Sequence, residues 1–249
     1  EKSKIETFTI GSPNPEIDET QYAKQYADYL DVTNHIHYYT NETLTQQIDE
    51  HFKAFSEPFG GYSSLPSFQV CKMAKSFFTV VLGGDGGDEL FWGYPRFNTF
   101  ASHLPWFSFG PTFKRLCGGI GRQLGYNVSY GIHLDSMGNW VMEQQSHNKT
   151  DIVKSLLPGI SNSEFVLNLY DIPMRVKNKQ ELLIWLRWNE FYGHLQRVLM
   201  KMDRVSMYHS LEFRVPFLDK EIIDFSLSLI PELGIKHSSP KYLLKKVIQ

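Results

Sequence analysis

The chain has 249 residues, 42% of them hydrophobic and 14% aromatic, enough to bury a sizeable core as one large domain or two small ones. Its 27 acidic and 25 basic residues leave a formal charge of −2, so no summed positive field is available for a nucleic-acid backbone or an anionic membrane, and neither is an expected partner. Cys71 and Cys117 lack CxxC spacing, which argues against a disulfide scaffold or a cysteine zinc site. No apolar run approaches the ~20 residues of a membrane span, so a soluble, cytoplasmic protein is expected.

The sequence opens at Glu1 and reaches a strand-like segment within a few residues, which suggests that further chain precedes it. Glu6–Gly11 alternates β-branched and aromatic residues and ends in a Gly-Ser-Pro-Asn-Pro turn, a strand emptying into a loop. Asp18-Glu19 opens a helix in which Tyr22, Ala23, Tyr26, Ala27 and Leu30 recur at helical spacing. His35–Tyr39 predicts a short strand. Leu44–Phe55 predicts a helix, closed by Glu57-Pro58 and Gly60-Gly61, and Leu65–Lys75 predicts another. Phe77–Leu82 (FFTVVL) is an uninterrupted apolar run of strand length, the pattern of a strand buried on both faces of a parallel sheet. Strand and helix alternate in this part, which is α/β logic.

From Ala101 to about Tyr130, glycine, proline and aromatics point to connectors or irregular helices. Leu182–Leu211 predicts mostly helix, with Leu183, Leu186, Phe191, Leu195, Val198, Leu199 and Met202 supplying apolar faces and Gly193 the interior weak point. Arg214–Asp219 interrupts it. Pro216 starts the next helix, with Ile222, Ile223, Phe225 and Leu229 inward. Ser239-Pro240-Lys241 opens a last helix with Leu243, Leu244 and Val247 inward. The expectation is one domain over 1–249, with a sheet region at about 1–97 and a mostly helical remainder.

The segment richest in chemistry is Leu82-Gly83-Gly84-Asp85-Gly86-Gly87-Asp88-Glu89-Leu90-Phe91. In an open parallel sheet ligands sit beyond the carboxyl ends of strands, where glycines let the backbone approach a nucleotide. Asp85, Asp88 and Glu89 crowd negative charge into five residues, an arrangement a hard cation such as Mg²⁺ would offset. Taken alone, the segment also fits a solvated turn in which Asp88 caps the next helix. His35 and His37 share one strand face with no third ligand in view, which favours core or surface histidines over a metal site. Glu212 with Arg214 reads as a structural ion pair, and Leu195, Met202 and Met207 read as core.

Gly83–Arg96 (GGDGGDELFWGYPR) resembles the asparagine synthetase pattern Ser-Gly-Asp/Glu-Gly-x-Asp-Glu-Leu-Phe-x-Gly-Tyr-x-Arg. The Thr7–Gly11 strand followed by Asp18-Glu19, the Thr33/His35/His37 segment, and Glu57-Pro58 through Pro66 are similar to that family's upstream elements. Met202-Asp203-Arg204, Ser206-Met207, Ser210-Leu211-Glu212, Arg214–Asp219 and Lys241 are similar to its C-terminal half. The resemblance covers about residues 5 to 97 and 195 to 246.

It implies an adenine nucleotide α-hydrolase-like parallel sheet with a helical C-terminal part. The implied activity is ATP-dependent adenylation of the aspartate side chain, followed by displacement of AMP by ammonia. By position, Ile10 would contact adenine through its backbone, Gly83 and Gly84 would line the nucleotide, Asp85 would act on the β-aspartyl-AMP intermediate, Asp88 would ligate Mg²⁺, and Lys241 would meet the pyrophosphate. The implied substrates are aspartate and ammonia or glutamine, and the resemblance is compatible with a homodimer.

The family's Ser-Gly-Gly-x-Asp-Ser pyrophosphate loop and its N-terminal glutaminase domain lie outside these residues, so this piece alone is expected to be inactive. Gly83 replaces the usual serine and Gly61 stands where an aspartate is common. Both changes keep open a related amidotransferase or lactam-forming cyclase acting on another carboxylate. An inactive nucleotide-binding module is the third alternative.

Overall fold

The computed structural model of the chain describes residues 5–57, 59–110, 112–113, 116–117, 120, 136–146, 150–161, 164–172, 176–235 and 240–248. Pro58, Ser239 and most of 111–135, on which some of the expectations above fall, lie outside them. The structure is mixed α/β, with helices predominant and strands paired in parallel. It forms two compact units, residues 1–85 with 197–216, and residues 86–196 with 217–249. Among the described residues no helix is long and apolar enough to cross a membrane.

In the first unit, β1 (Glu6–Gly11) pairs in parallel with β2 (Thr33–Tyr38), Glu6 opposite Thr33 and Gly11 opposite Tyr38, with α1 (Thr20–Leu30) between them in sequence. Asn34 Oδ1 accepts from both Thr7 and Thr9 hydroxyls at 3.1 Å, tying alternate residues of β1 to one β2 side chain. α2 (Asn41–Gln46) and α3 (Ile48–Phe52) replace the single helix expected over Leu44–Phe55. Thr40 and Thr43 form a reciprocal capping box that starts α2 early. α4 (Ser64–Lys75) follows.

β3 is only Val80–Leu82, parallel to β4 (Glu212–Arg214), and the described strands form two separate two-stranded sheets. The expected strand buried on both faces is therefore corrected. Phe77 and Phe78 amides both donate to the Ala74 carbonyl and finish α4, and Leu82 is 71% exposed. Uniform apolarity does not separate a helix end from a strand.

The unit's core packs Phe68, Cys71 and Ala74 of α4, at helical spacing, against Met202, Val205 and Leu211, with Phe8, Val81 and Phe213 around them. Met207, expected inside, is exposed, as are Tyr22, Tyr26 and Leu30 of α1.

Two histidines flank Phe68. His51 is buried among the rings of Phe52, Phe55 and Phe68 at 5.0–5.7 Å, and neither of its nitrogens has a hydrogen-bond partner. The His209 ring lies 4.3 Å from Phe68. Burial pushes both imidazoles below their usual pKa; at His209 the Glu50 carboxylate acts upward and the Lys72 ammonium downward. An unfolded histidine takes up its proton near pH ~6.5, the folded ones only at lower pH. The stability tied to the neutral rings is full above about pH 6.5 and falls as pH drops below it. His51→Phe is expected to flatten this acid limb, read as Tm from about pH 7.5 to 5.5. Equal slopes in variant and wild type would contradict the assignment.

In the second unit, α5 (Gly87–Leu90), α6 (Arg96–His103), a 3₁₀ turn at Leu104–Ser108, α7 (Met137–Gln145), α8 (Thr150–Leu156), α9 (Glu164–Leu169) and α10 (Lys179–Asn189) follow in order. One π turn, Glu190–His194, joins α10 to α11 (Leu195–Tyr208), which runs on into residues of the first unit. After β4 come a 3₁₀ turn at Pro216–Leu218, α12 (Lys220–Ser228), α13 (Pro231–Gly234) and α14 (Tyr242–Ile248). Asp219 caps α12 by accepting from the Glu221 amide at 2.9 Å.

The core of this unit is Trp92, Phe97, Phe100, Trp140, Val141, Leu182 and Leu186. The expected weak point, Gly193, sits within the π turn. A Cβ there would lie 2.6 Å from Leu169 Cδ2, so close helix approach accounts for the glycine. Phe225 and Val247, expected inside, are exposed.

Candidate active site

β3 delivers the glycine-rich segment. The Gly83 amide donates to the Arg214 carbonyl at 2.8 Å, extending the β3–β4 ladder by one residue. A Cβ on Gly83 would lie 1.9 Å from Phe213 Cζ, so a serine here would require the β4 phenylalanine ring to move. Gly84 faces open space. Asp85 follows, and its charge reaches the buried Cys71 thiol. Burial pushes that thiol up to about 12, with Asp85 adding to the rise and Lys201 opposing it. Lys201 Nζ donates to the Ser63 hydroxyl at 3.4 Å. Cys71 is a packed, protonated thiol at neutral pH, not a nucleophile. Ile10 lies near the carboxyl end of β1, opposite His37.

Gly86 then adopts φ +88°, a left-handed turn in which a Cβ would also meet Leu218. α5 presents Asp88, and Lys241 Nζ lies 2.8 Å from Asp88 Oδ1, with both side chains 37% exposed. Gly93 makes this approach possible, because a Cβ there would be 1.8 Å from Asp88 Oδ1 and 2.5 Å from Lys241 Cε. The Gly93 amide donates to the Asp88 carbonyl at 2.8 Å and holds the turn closed. Lys241 has φ +53°, uncommon for a side chain other than glycine, and its carbonyl accepts from the Lys245 amide at 3.0 Å at the start of α14.

Two of the three crowded acids, Asp88 and Glu89, find partners within the second unit. Asp88 meets Lys241. Glu89 is turned inward and accepts from the Tyr94 hydroxyl at 2.5 Å. Burial pushes the Glu89 carboxyl up, the Tyr94 bond partly offsets this, and the Tyr94 hydroxyl is itself driven well above its usual range by burial. Arg96, at the end of the same motif, donates from Nε and Nη2 to the two carboxylate oxygens of Glu190 at 2.7 Å, and its guanidinium stacks 3.7 Å over the Tyr94 ring.

Thus the second unit brings together Asp88 and Lys241, while Ile10, Gly83, Gly84 and Asp85 belong to the first. Sequence reasoning gave no role to Gly93, Glu190 or Arg187. Tyr94 and Arg96 were visible only as motif letters. His35 pairs with Glu6 at 2.7 Å, and Glu212 with Arg214 at 2.8 Å.

A family model described as Asparagine synthase matches residues 1–249. The chain belongs to the asparagine synthase family. Among the family's members, asparagine synthetase [glutamine-hydrolyzing] 1 of Bacillus subtilis is 26% identical over 98% of this chain and 40% of its own length. A putative asparagine synthetase [glutamine-hydrolyzing] of Mycobacterium tuberculosis is 24% identical over 99% of this chain and 38% of its own. A putative asparagine synthetase [glutamine-hydrolyzing] 2 of Methanocaldococcus jannaschii reaches 45% identity over 92 residues, 37% of this chain and 18% of its own length. The chain therefore spans about two fifths or less of these asparagine synthase relatives.

Nucleotide chemistry in this family implies a divalent cation. Among the described residues no group of three or more His, Cys, Asp and Glu side chains could hold a metal ion by itself. Mg²⁺ is ordinarily held by one or two carboxylates, with waters and substrate phosphates completing the shell. Asp88 supplies one such carboxylate: it is 37% exposed, and its Oδ1 is engaged by the Lys241 ammonium.

Proposed function

We propose that this chain is the synthetase part of an ATP-dependent carbon–nitrogen ligase that makes asparagine from aspartate and ammonia, its sheet being of the adenine nucleotide α-hydrolase type. In the whole protein the ammonia comes from glutamine, released by a glutaminase part that these residues do not include. The two unpaired cysteines suit a cytoplasmic setting.

An oxygen of the aspartate side-chain carboxylate attacks the α-phosphorus of ATP, and pyrophosphate leaves. Ammonia then attacks the acyl carbon of the β-aspartyl-AMP, a proton is lost from nitrogen, and AMP departs with the carbon–oxygen bonding pair. The work of the protein is chiefly positioning and charge neutralisation. The Ile10 backbone meets the adenine edge. Gly83 and Gly84 admit the nucleotide close to the main chain, Gly84 having open space beside it. Asp85 accepts the proton that the attacking amine loses. Asp88 would hold Mg²⁺, which would neutralise phosphate charge. Lys241 stabilises the charge that builds on the departing pyrophosphate.

The observation that most supports this reading is the convergence of Asp88 and Lys241, distant in sequence, around a glycine that leaves no room for a side chain. Its test is ATP–pyrophosphate exchange by the full-length protein with a panel of carboxylates. Aspartate-dependent exchange is expected. Exchange with a different carboxylate and none with aspartate would move the reading to a related amidotransferase or cyclase, and nucleotide binding without exchange would leave an inactive module.

A further inference from the structure

We infer that Lys241 is the counter-ion of Asp88 in the metal-free protein, so that loading a divalent cation onto Asp88 and releasing Lys241 toward a phosphate are a single exchange. The inference rests on the metal and pyrophosphate roles proposed above and adds the order in which they come into play.

Three features of the pair carry it. The Lys241 ammonium lies 2.8 Å from Asp88 Oδ1, so the lysine answers the charge that a metal would otherwise answer. A dication at the same carboxylate repels an ammonium only a few ångströms away, and the two cannot share it at full strength. Both side chains are 37% exposed, which leaves the ion pair in contact with water and readily displaced, unlike a buried pair.

The approach is also built rather than incidental. Gly93 gives the lysine its path, since a Cβ there would overlap both Asp88 Oδ1 and Lys241 Cε. Lys241 stands in the left-handed region immediately before α14, with its carbonyl held by the Lys245 amide, so its side chain alone can swing while its backbone stays anchored. Two other described acids of this unit are engaged elsewhere. Glu89 is buried on Tyr94, and Glu190 is buried on Arg96 and Gln145.

The test uses Mn²⁺ as probe, titrated into the full-length protein without nucleotide and followed by electron paramagnetic resonance, with circular dichroism to verify folding. Lys241→Met is expected to bind Mn²⁺ about two- to fivefold more tightly than wild type, the scale of removing one water-exposed ion pair. Asp88→Asn is expected to lose this binding. Unchanged or weaker Mn²⁺ affinity in Lys241→Met, beside loss in Asp88→Asn, overturns the exchange and leaves the metal role of Asp88 standing. Wild-type Mn²⁺ binding in Asp88→Asn overturns the metal role and the exchange together.

Discussion

Replacing Glu190 with alanine is expected to lower the unfolding free energy by about 3–5 kcal/mol, the range for removing one partner of a buried ion pair. Glu190 is fully buried and accepts from Arg96 Nε and Nη2 at 2.7 Å and from Gln145 Nε2 at 2.6 Å. The Tyr170 hydroxyl in turn donates to Gln145 Oε1 at 2.5 Å. Burial alone would lower the basicity of Arg96, yet the hydrogen bonds and charge of Glu190 carry it upward, so the guanidinium stays charged and needs its acceptor. In the alanine variant Arg96 and Gln145 lose that acceptor. Glu190 opens the π turn, a conformation that is rare outside functional or constrained sites, and Arg96 closes the motif containing Asp88 and Glu89. Urea denaturation measures the loss. Adding Arg96→Met to Glu190→Ala should restore much of it, because removing both charges spares the unpaired one. A loss below about 1 kcal/mol would show that the pair is structurally unimportant.

The second large effect is expected at Arg187. This arginine is buried, and among the described residues no carboxylate pairs with it. Nη1 donates to the Ser226 carbonyl at 2.5 Å and the Leu229 carbonyl at 3.3 Å, and Nη2 donates to Leu227 at 2.9 Å. These carbonyls lie at the C-terminal end of α12, where Ser226 also accepts from the Leu229 amide at 3.1 Å and a cation meets the negative pole of the helix dipole. Burial lowers the guanidinium to about 10, still charged at neutral pH. Its other face lies 4.2 Å from the Trp92 ring, whose Nε1 donates to the Leu183 carbonyl at 2.9 Å. Trp92 has φ +51°, and its ring lies where a Cβ on Gly234 would be, so it is fixed from several sides. It directly precedes Gly93, the residue that admits Lys241 to Asp88. Arg187→Leu should cost about 2–4 kcal/mol through unsatisfied carbonyls and lost packing. Denaturant unfolding and a shift in tryptophan emission report it. An unaltered midpoint would contradict the strut.

Much of this arrangement is legible in the sequence. β1 announces itself by the alternation of Glu6–Gly11, β2 and α4 fall close to the expected His35–Tyr39 and Leu65–Lys75, and Phe68, Cys71 and Ala74 form the α4 face that packs. That an acid-rich glycine loop follows a strand is also readable. The limits have physical causes. FFTVVL is apolar throughout, so nothing in it marks where α4 stops and β3 starts; backbone bonds to Ala74 decide that. Glu190 falls on the buried α10 stripe, four residues after Leu186, but a carboxylate there reads as a break in the stripe until its distant partner Arg96 is placed. Met207, Phe225 and Val247 fall on helical stripes but remain exposed, because periodicity gives a face and not what covers it. The Lys241–Asp88 contact carries no local signal at all, and only the likeness of the motifs put both residues on one list of candidates.

The most direct measurement of whether Asp88 and Lys241 act on one nucleotide is aspartate-dependent ATP–pyrophosphate exchange by the full-length protein and its Asp88→Asn variant, with melting temperatures recorded side by side. Loss of one charged contact at a developing phosphate charge is expected to slow exchange at least about a hundredfold while the melting temperature stays at the wild-type value. Exchange at the wild-type rate in a folded Asp88→Asn protein would contradict the assignment.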